Sequence, residues 1–168
     1  PAQLCILAFM REMFRNHPYG RDPYGDVDSI AKLTQKSARE AFNQRSGLTI
    51  VASGALDPSE FKSQVEESLA KANVGTGKIE KVAIEYPKED VRVFQESVKQ
   101  QSHIVYGFPG LRITDSERYA LQVMQAILAG QGGRLFIELR DKASLAYSVS
   151  PMRMEGIEGG YFGAYIGC

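Results

Sequence analysis

Histidine is the side chain most often used for metal binding and general base catalysis near neutral pH, and this sequence of 168 residues contains His17 and His103. Neither begins an H-E-x-x-H or H-x-x-E-H pattern, so no single helix can present two imidazoles to one zinc ion. We therefore expect no metal site in the chain, although the two histidines could still meet in space. His17 is predicted to lie in a loop ahead of Pro18, and His103 in a strand facing solvent.

Two further patterns of catalytic or phosphate-binding type are incomplete. Ser53 lies in Val-Ala-Ser-Gly-Ala, which is not the Gly-x-Ser-x-Gly elbow of a serine nucleophile. Residues 130–134, Gly-Gln-Gly-Gly-Arg, follow a predicted helix where a phosphate loop would follow a strand, and no Gly-Lys-Ser/Thr comes after them. We interpret these glycines as a helix stop with a close approach of two backbone segments.

One candidate binding constellation remains, centred on Arg140 and Tyr147. A short helix is predicted over residues 134–142, and its apolar inner face comprises Leu135, Phe136 and Leu139. Arg140 lies at the C-terminal end of this helix, where the helix dipole favours a cation. This dipole effect alone could explain an arginine at that position, without a binding role. Tyr147 follows in a strand after a tight connection, which brings its hydroxyl near the guanidinium. An arginine fork beside a phenol suits a peptide carboxylate or carbonyl, so Arg140 and Tyr147 are the candidate substrate-binding residues.

The order of the predicted elements indicates the fold class. Helices are predicted over residues 4–14 and 134–142, and three more are predicted to begin after the capping residues Thr34, Asp57 and Thr114. Strands are predicted over residues 48–53, 82–86, 91–98, 103–108, 144–153 and 160–168. Two pairs of neighbouring strands are too close for a crossover helix, so they should pair antiparallel. We expect an α+β two-layer sandwich, with a mixed, largely antiparallel sheet and helices packed on one face.

Composition excludes several classes of partner. Lys plus Arg and Asp plus Glu number 20 each, and a protein without a basic excess is not expected to bind nucleic acid. The longest apolar stretch, residues 4–10, is too short to span a bilayer and has no signal-peptide flanks. Cys5 and Cys168 form no metal or redox motif and are interpreted as small hydrophobic residues. The compartment stays open between the bacterial periplasm and the cytoplasm.

Three stretches of the sequence resemble the M16 peptidase family, which includes pitrilysin, insulin-degrading enzyme and the mitochondrial processing peptidases. Residues 132–149 read Gly-Gly-Arg-Leu-Phe-x-Glu-Leu-Arg-x-Lys-x-x-Leu-Ala-Tyr-Ser-Val. Residues 17–20, His-Pro-Tyr-Gly, are similar to the segment that opens the second domain type of the family. Residues 51–57 are similar to the buried strand of that domain type and to the start of the capped helix that follows the strand. The resemblance covers roughly residues 15–168.

The resemblance implies a non-catalytic domain. In the family, zinc is held in a different domain by an H-x-x-E-H helix and a distal Glu, and this chain lacks that helix. We therefore expect no cofactor in this chain and zinc in the catalytic domain of the parent protein. The resemblance also implies that Arg140 and Tyr147 reach across to the active site and contact the peptide backbone, as part of the wall of a peptide-binding chamber.

The resemblance further predicts the domain organisation and the partners. Residues 1–14 are expected to be a helix carried over from a preceding segment, and residues 15–168 an inactive-type domain truncated at its C-terminal end. The expected partners are the zinc-bearing M16 domain, in the same polypeptide or a partner subunit, and an unfolded peptide substrate. Self-association is expected through the sheet edge and apolar face that truncation leaves exposed.

The activity expected of the parent is that of a zinc-dependent metalloendopeptidase, whereas this chain alone is not expected to be an enzyme. Two alternatives stay open. The first is a structural or assembly scaffold from a non-peptidase M16 homologue, and the second is a small binding module with an accidental resemblance.

Overall fold

The computed structural model describes residues 1–43, 48–70, 81–98 and 100–168. The α-helices are α1 (Ala2–Met13), α2 (Val27–Ala31), α3 (Gln35–Asn43), α4 (Pro58–Leu69) and α5 (Arg118–Leu128), with a 3₁₀ turn at Pro18–Gly20 and a π-helix at Phe136–Lys142. The strands are β1 (His103–Gly110), β2 (Ser148–Glu155) and β3 (Gly160–Gly167). The chain divides into two compact units, one comprising Pro1–Tyr24 with Val82–Cys168 and the other Gly25–Lys81.

The first unit is built on a three-stranded sheet with β3 in the centre, in the order β1-β3-β2, and both pairings are antiparallel. Helix α1 lies against this sheet, where Phe9 meets the ring of Tyr161 edge-on at 5.1 Å. Gly107 permits that contact, because a Cβ there would lie 2.7 Å from the Phe9 ring. Helices combined with an antiparallel sheet confirm the predicted α+β class.

The core of the first unit is centred on Phe14, which is 1% exposed. Met13 and Tyr161 complete the buried cluster, and the ring of Tyr19 meets Phe14 edge-on at 5.6 Å. Tyr86 fixes the start of β3, since its hydroxyl donates to the Gly160 carbonyl and accepts from the Gly160 N–H, both at 2.9 Å. Apolar burial and a few partly buried hydrogen bonds therefore hold the end of α1 against the sheet.

Three predicted strands, over residues 48–53, 82–86 and 91–98, are wrong. A strand needs a hydrogen-bonded partner, and within the described ranges no backbone ladder joins these segments to another strand. The apolar residues of segment 82–86 contribute to the core instead, since the side chains of Ile84 and Tyr86 pack against the buried cluster. Val51 and Phe94 remain exposed.

The second unit confirms the helix start predicted at Asp57. The Asp57 carboxylate accepts hydrogen bonds from the N–H groups of Ser59 and Glu60, both at 2.9 Å, and Pro58 occupies the first helical position of α4. In a capping box the residue three positions after the cap returns a hydrogen bond to the cap N–H, but the Glu60 side chain forms no such bond. Its carboxylate accepts a hydrogen bond from the Gln64 amide at 3.1 Å instead.

The other two predicted caps have opposite outcomes. Thr34 caps α3, since its hydroxyl accepts a hydrogen bond from the backbone N–H three residues on at 3.1 Å. Thr114 does not cap α5, which begins at Arg118. The reason is local, because the Asp115 carboxylate accepts a hydrogen bond from the Arg112 N–H at 2.8 Å and so forms a turn ahead of the helix.

Candidate functional site

The glycines after α5 end that helix and begin the candidate site. Gly130 has a φ of 76°, in the left-handed region that favours glycine. A Cβ added at Gly133 would lie 2.5 Å from the Leu128 carbonyl oxygen and closer still to that of Ala129, so no larger residue fits. The interpretation of these glycines as a helix stop with a close backbone approach is confirmed.

The short helix predicted over residues 134–142 is present, but residues Phe136–Lys142 are wound as a π-helix. The Ala143 N–H donates to the carbonyl of Glu138, five residues back, at 3.2 Å. At the end of the helix the Leu145 N–H donates to the Leu139 carbonyl at 2.8 Å. Such wide turns are rare and occur frequently at functional sites.

The chain then turns sharply at Ser144, which has a φ of 53° and is the non-glycine residue with positive φ among those described. Beyond it Ala146 is buried, and the Tyr147 N–H donates to the Gly167 carbonyl at 2.8 Å. The strand predicted from residue 144 therefore begins at Ser148, because a left-handed residue cannot continue a strand. These contacts fix the backbone of Tyr147 at the end of β3.

Arg140 and Tyr147 come together as the spacing predicted. The guanidinium carbon of Arg140 lies over the Tyr147 ring, 5.3 Å from its centroid, and over the Phe136 ring at 4.7 Å. Both distances are within the range of a cation–π interaction. The contact with Tyr147 is through the ring face, whereas the sequence predicted proximity to the hydroxyl.

Phe136 was not predicted as a site residue. The sequence analysis assigned it to the inner face of the helix, and it is half-buried. Its position four residues before Arg140 was the available signal, because side chains at this spacing meet on one face of a helix.

The hydrogen-bonding capacity of this site is directed outward. Tyr147 is 73% exposed, and Arg140 is also exposed. No carboxylate or other acceptor within the described part of the chain pairs with the Arg140 guanidinium. The neighbouring Lys142 differs, since its ammonium lies 2.8 Å from the Glu138 carboxylate. Arg140 thus presents its N–H donors, and Tyr147 its hydroxyl, to solvent.

His17 does not fit a zinc site. It is buried, its Nδ1 accepts a hydrogen bond from the Tyr19 N–H at 3.1 Å, and its ring lies 4.3 Å from that of Tyr19. Because Nδ1 already accepts this hydrogen bond, its lone pair is not available to a zinc ion. His17 caps the 3₁₀ turn and has a structural role.

His103 is half-buried rather than facing solvent, which corrects the prediction. A hydrogen bond of 2.7 Å joins its Nδ1 to the Tyr165 hydroxyl, and the two rings are stacked. Among the described residues no group of three or more His, Cys, Asp and Glu side chains could hold a metal ion.

The thiol of Cys5 is half-buried. Burial raises the pKa of Cys5, and its thiol donates a weak hydrogen bond to the His103 carbonyl at 3.3 Å. This behaviour agrees with the interpretation of Cys5 as a small hydrophobic residue. Separately, none of the helices in the described ranges is long and apolar enough to cross a bilayer.

Comparison with known proteins gives a family match over most of the chain. The family model described as the peptidase M16 inactive domain matches residues 36–168, a range that contains the whole candidate site. An uncharacterized zinc protease of Streptomyces coelicolor is 30% identical over 174 aligned residues, which cover 95% of this chain and 37% of that protein. A Bacillus subtilis protein named "Probable inactive metalloprotease" is 27% identical over 158 residues, covering 91% of this chain and 37% of that protein.

A solved structure agrees with the fold. The chain superposes on the peptidase M16 inactive domain from Pseudomonas fluorescens with a TM-score of 0.84, at 23% identity, over 99% of this chain and 42% of that one. The chain therefore spans well under half the length of the proteins it matches.

Proposed function

The chain belongs to the peptidase M16 family as an inactive-type domain, and from that premise we propose that it is the non-catalytic, substrate-binding domain of a longer zinc metallopeptidase. It supplies part of the wall of a peptide-binding chamber and contacts an unfolded peptide. Hydrolysis would belong to a zinc-bearing M16 domain in the same polypeptide or a partner subunit, whose metal would supply Lewis-acid chemistry for the peptide carbonyl and the attacking water. The Streptomyces coelicolor relative named a zinc protease supports this division, since it extends well beyond the matched region.

The observation that carries the proposal is the Arg140 guanidinium, with which no acceptor of the described residues pairs, beside the exposed phenol of Tyr147. An arginine without an acidic partner can donate to a peptide carbonyl or carboxylate, and the phenol can add a second hydrogen bond. Both groups project from backbone that is fixed locally, Arg140 by the π-helix and Tyr147 by its bond to Gly167. Donors carried on a fixed backbone can orient a peptide and lower the entropy cost of reaching a productive geometry.

The size of the effect follows from the hydrogen bonds removed. A hydrogen bond to a charged group contributes about 1.5–3 kcal/mol, so Arg140→Ala should lower kcat/KM roughly ten- to hundredfold. The phenol is neutral and its bond contributes about 0.5–1.5 kcal/mol, so Tyr147→Phe should cost roughly two- to tenfold.

The test is cleavage of a quenched, extended peptide by the full-length parent with zinc supplied. Arg134→Ala removes an exposed arginine six residues earlier and serves as the control for Arg140→Ala. Tyr24→Phe removes the hydroxyl of a tyrosine that is 76% exposed, against 73% for Tyr147. Large losses at Arg140 and Tyr147 with unchanged controls are expected. Unchanged kinetics and unchanged stability in Arg140→Ala would remove the proposal.

A second candidate function is a scaffold from an M16 protein that has lost peptidase activity. The name of the Bacillus subtilis relative, "Probable inactive metalloprotease", favours it. The distinguishing feature is an H-x-x-E-H motif in the rest of the parent sequence. If the folded, zinc-supplied parent cleaves no peptide, the scaffold becomes the better account.

A further inference from the structure

We propose that Phe136 is a positioning residue whose ring fixes the Arg140 guanidinium, so that the N–H donors of Arg140 are held ready for the peptide. This inference rests on the proposed function, since it concerns the same binding site. Phe136 itself is not required to touch the peptide.

The two rings beneath the guanidinium differ in how firmly they are held. Phe136 is half-buried and lies 4.7 Å from the guanidinium carbon, whereas Tyr147 is 73% exposed and lies at 5.3 Å. Packing restricts the rotamer of a half-buried ring, while an exposed ring can turn away. Phe136 is therefore the anchor of the pair, and Tyr147 is free to adjust to a ligand.

An arginine held by an aromatic ring keeps its N–H donors available, whereas an arginine held by a carboxylate does not. Arg112 is held by Asp115, whose carboxylate oxygen lies 2.8 Å from a guanidinium nitrogen, and Arg15 is held in the same way by Glu12. Each of those pairs uses N–H donors of the arginine. A cation–π contact is made through the ring face and leaves the five N–H donors available, and no described acceptor takes them from Arg140.

Holding the guanidinium before the ligand arrives improves binding. Arginine is among the side chains that lose most rotamer freedom when they are fixed. If Phe136 already restricts Arg140 in the free protein, less of that entropy is lost on binding, and the peptide binds more tightly.

The experiment uses the full-length parent in the presence of a zinc chelator, so that binding of a fluorescent extended peptide is measured by anisotropy without cleavage. Phe136→Leu keeps the apolar volume and removes the ring face, and it should weaken binding about two- to fivefold. Phe136→Tyr keeps the ring and should bind as the wild type does. Phe61→Leu is the control, because Phe61 is also a half-buried helical phenylalanine and its ring lies under no arginine of the described residues.

A double-mutant cycle separates positioning from a merely structural role. In an Arg140→Ala background, Phe136→Leu should cause no further loss of affinity, because the residue it positions is gone. Equal losses with and without Arg140 would overturn the inference and leave the proposed function standing. Unchanged binding in Arg140→Ala would instead overturn the proposed function.

A second experiment tests the contact between Phe136 and Arg140 without any peptide, so it gives a result even if the parent binds no peptide. With isotopically labelled arginine, and with Arg140→Lys to assign the signals, the Arg140 side chain should show upfield ring-current shifts in the full-length protein. These shifts should be largely lost in Phe136→Leu and kept in Phe136→Tyr. Shifts that are absent in the wild type, or unchanged in Phe136→Leu, would contradict the inference.

Discussion

Ser144 adopts a left-handed backbone conformation at the end of the π-helix, and replacing it with glycine should stabilise the chain. Its φ is 53°, a region where an L-residue other than glycine is strained by about 1–2 kcal/mol. Glycine has no Cβ and is not strained there. Ser144→Gly therefore removes the strain from the folded state.

The net gain is smaller than the strain, because glycine also adds freedom to the unfolded chain. That entropic cost is about 0.5–1 kcal/mol. Nothing else is lost, since Ser144 is exposed and its hydroxyl forms no hydrogen bond with the described residues. The expected gain in the free energy of unfolding is about 0.5–1 kcal/mol, which corresponds to a rise in Tm of about 1–4 °C.

Thermal unfolding followed by circular dichroism measures this change. Ser144→Ala keeps a Cβ in the left-handed region and should leave Tm unchanged. Gly130→Ala is the reverse control, because φ is 76° there and an added Cβ meets nothing within 4 Å. It should lower stability by about the same 0.5–1 kcal/mol, which is the backbone strain of the alanine less the conformational freedom that alanine removes from the unfolded chain. The reasoning is refuted if Gly130→Ala destabilises the chain while Ser144→Gly gives no gain.

Three further predictions concern the elements around the site. Gly133→Ala should destabilise the chain strongly in urea unfolding, because its Cβ would lie 2.5 Å from the Leu128 carbonyl oxygen, whereas Gly132→Ala, with open space around it, should be tolerated. Phe14→Ala should cost about 3–5 kcal/mol in the same assay, since the deleted side chain is fully buried. Hydrogen bonds from Ser59 and Glu60 hold the pKa of Asp57 below its ordinary value of 3.8. The contribution of the Asp57 cap to stability should therefore be complete above pH 3.8, and it should be lost as the pH falls through the lower pKa of the folded state. In acid, the stability difference between wild type and Asp57→Ala should therefore vanish.

Local hydrogen-bond chemistry made several elements predictable from the sequence. Asp57 followed by Pro58 gives a helix start whose donors and acceptors are all within four residues, and α4 begins there. The strand predicted over residues 160–168 agrees closely with β3, because an uncharged run of aromatic, aliphatic and glycine residues suits a central strand beneath a helix. The pairing of Arg140 with Tyr147 was predictable because both lie on one short, tightly connected segment.

Features that depend on distant partners or on unusual backbone geometry were not predictable. Residues 82–86 have the apolar content of a strand, yet whether they join a ladder depends on a non-local neighbour. The apolar spacing of residues 135–139 suits an α-helix and a π-helix equally, so the wider winding leaves no signature. A left-handed serine was not expected at position 144, because glycine or asparagine is usual there.

The central claim is that this domain supports a working zinc peptidase without catalysing the reaction. The most direct test compares the full-length parent, with and without a zinc chelator, and the 168-residue chain alone on a quenched, extended peptide. Chelator-sensitive cleavage by the parent and none by the chain is the predicted result. Cleavage by the chain alone, or none by a folded and zinc-supplied parent, would contradict the account.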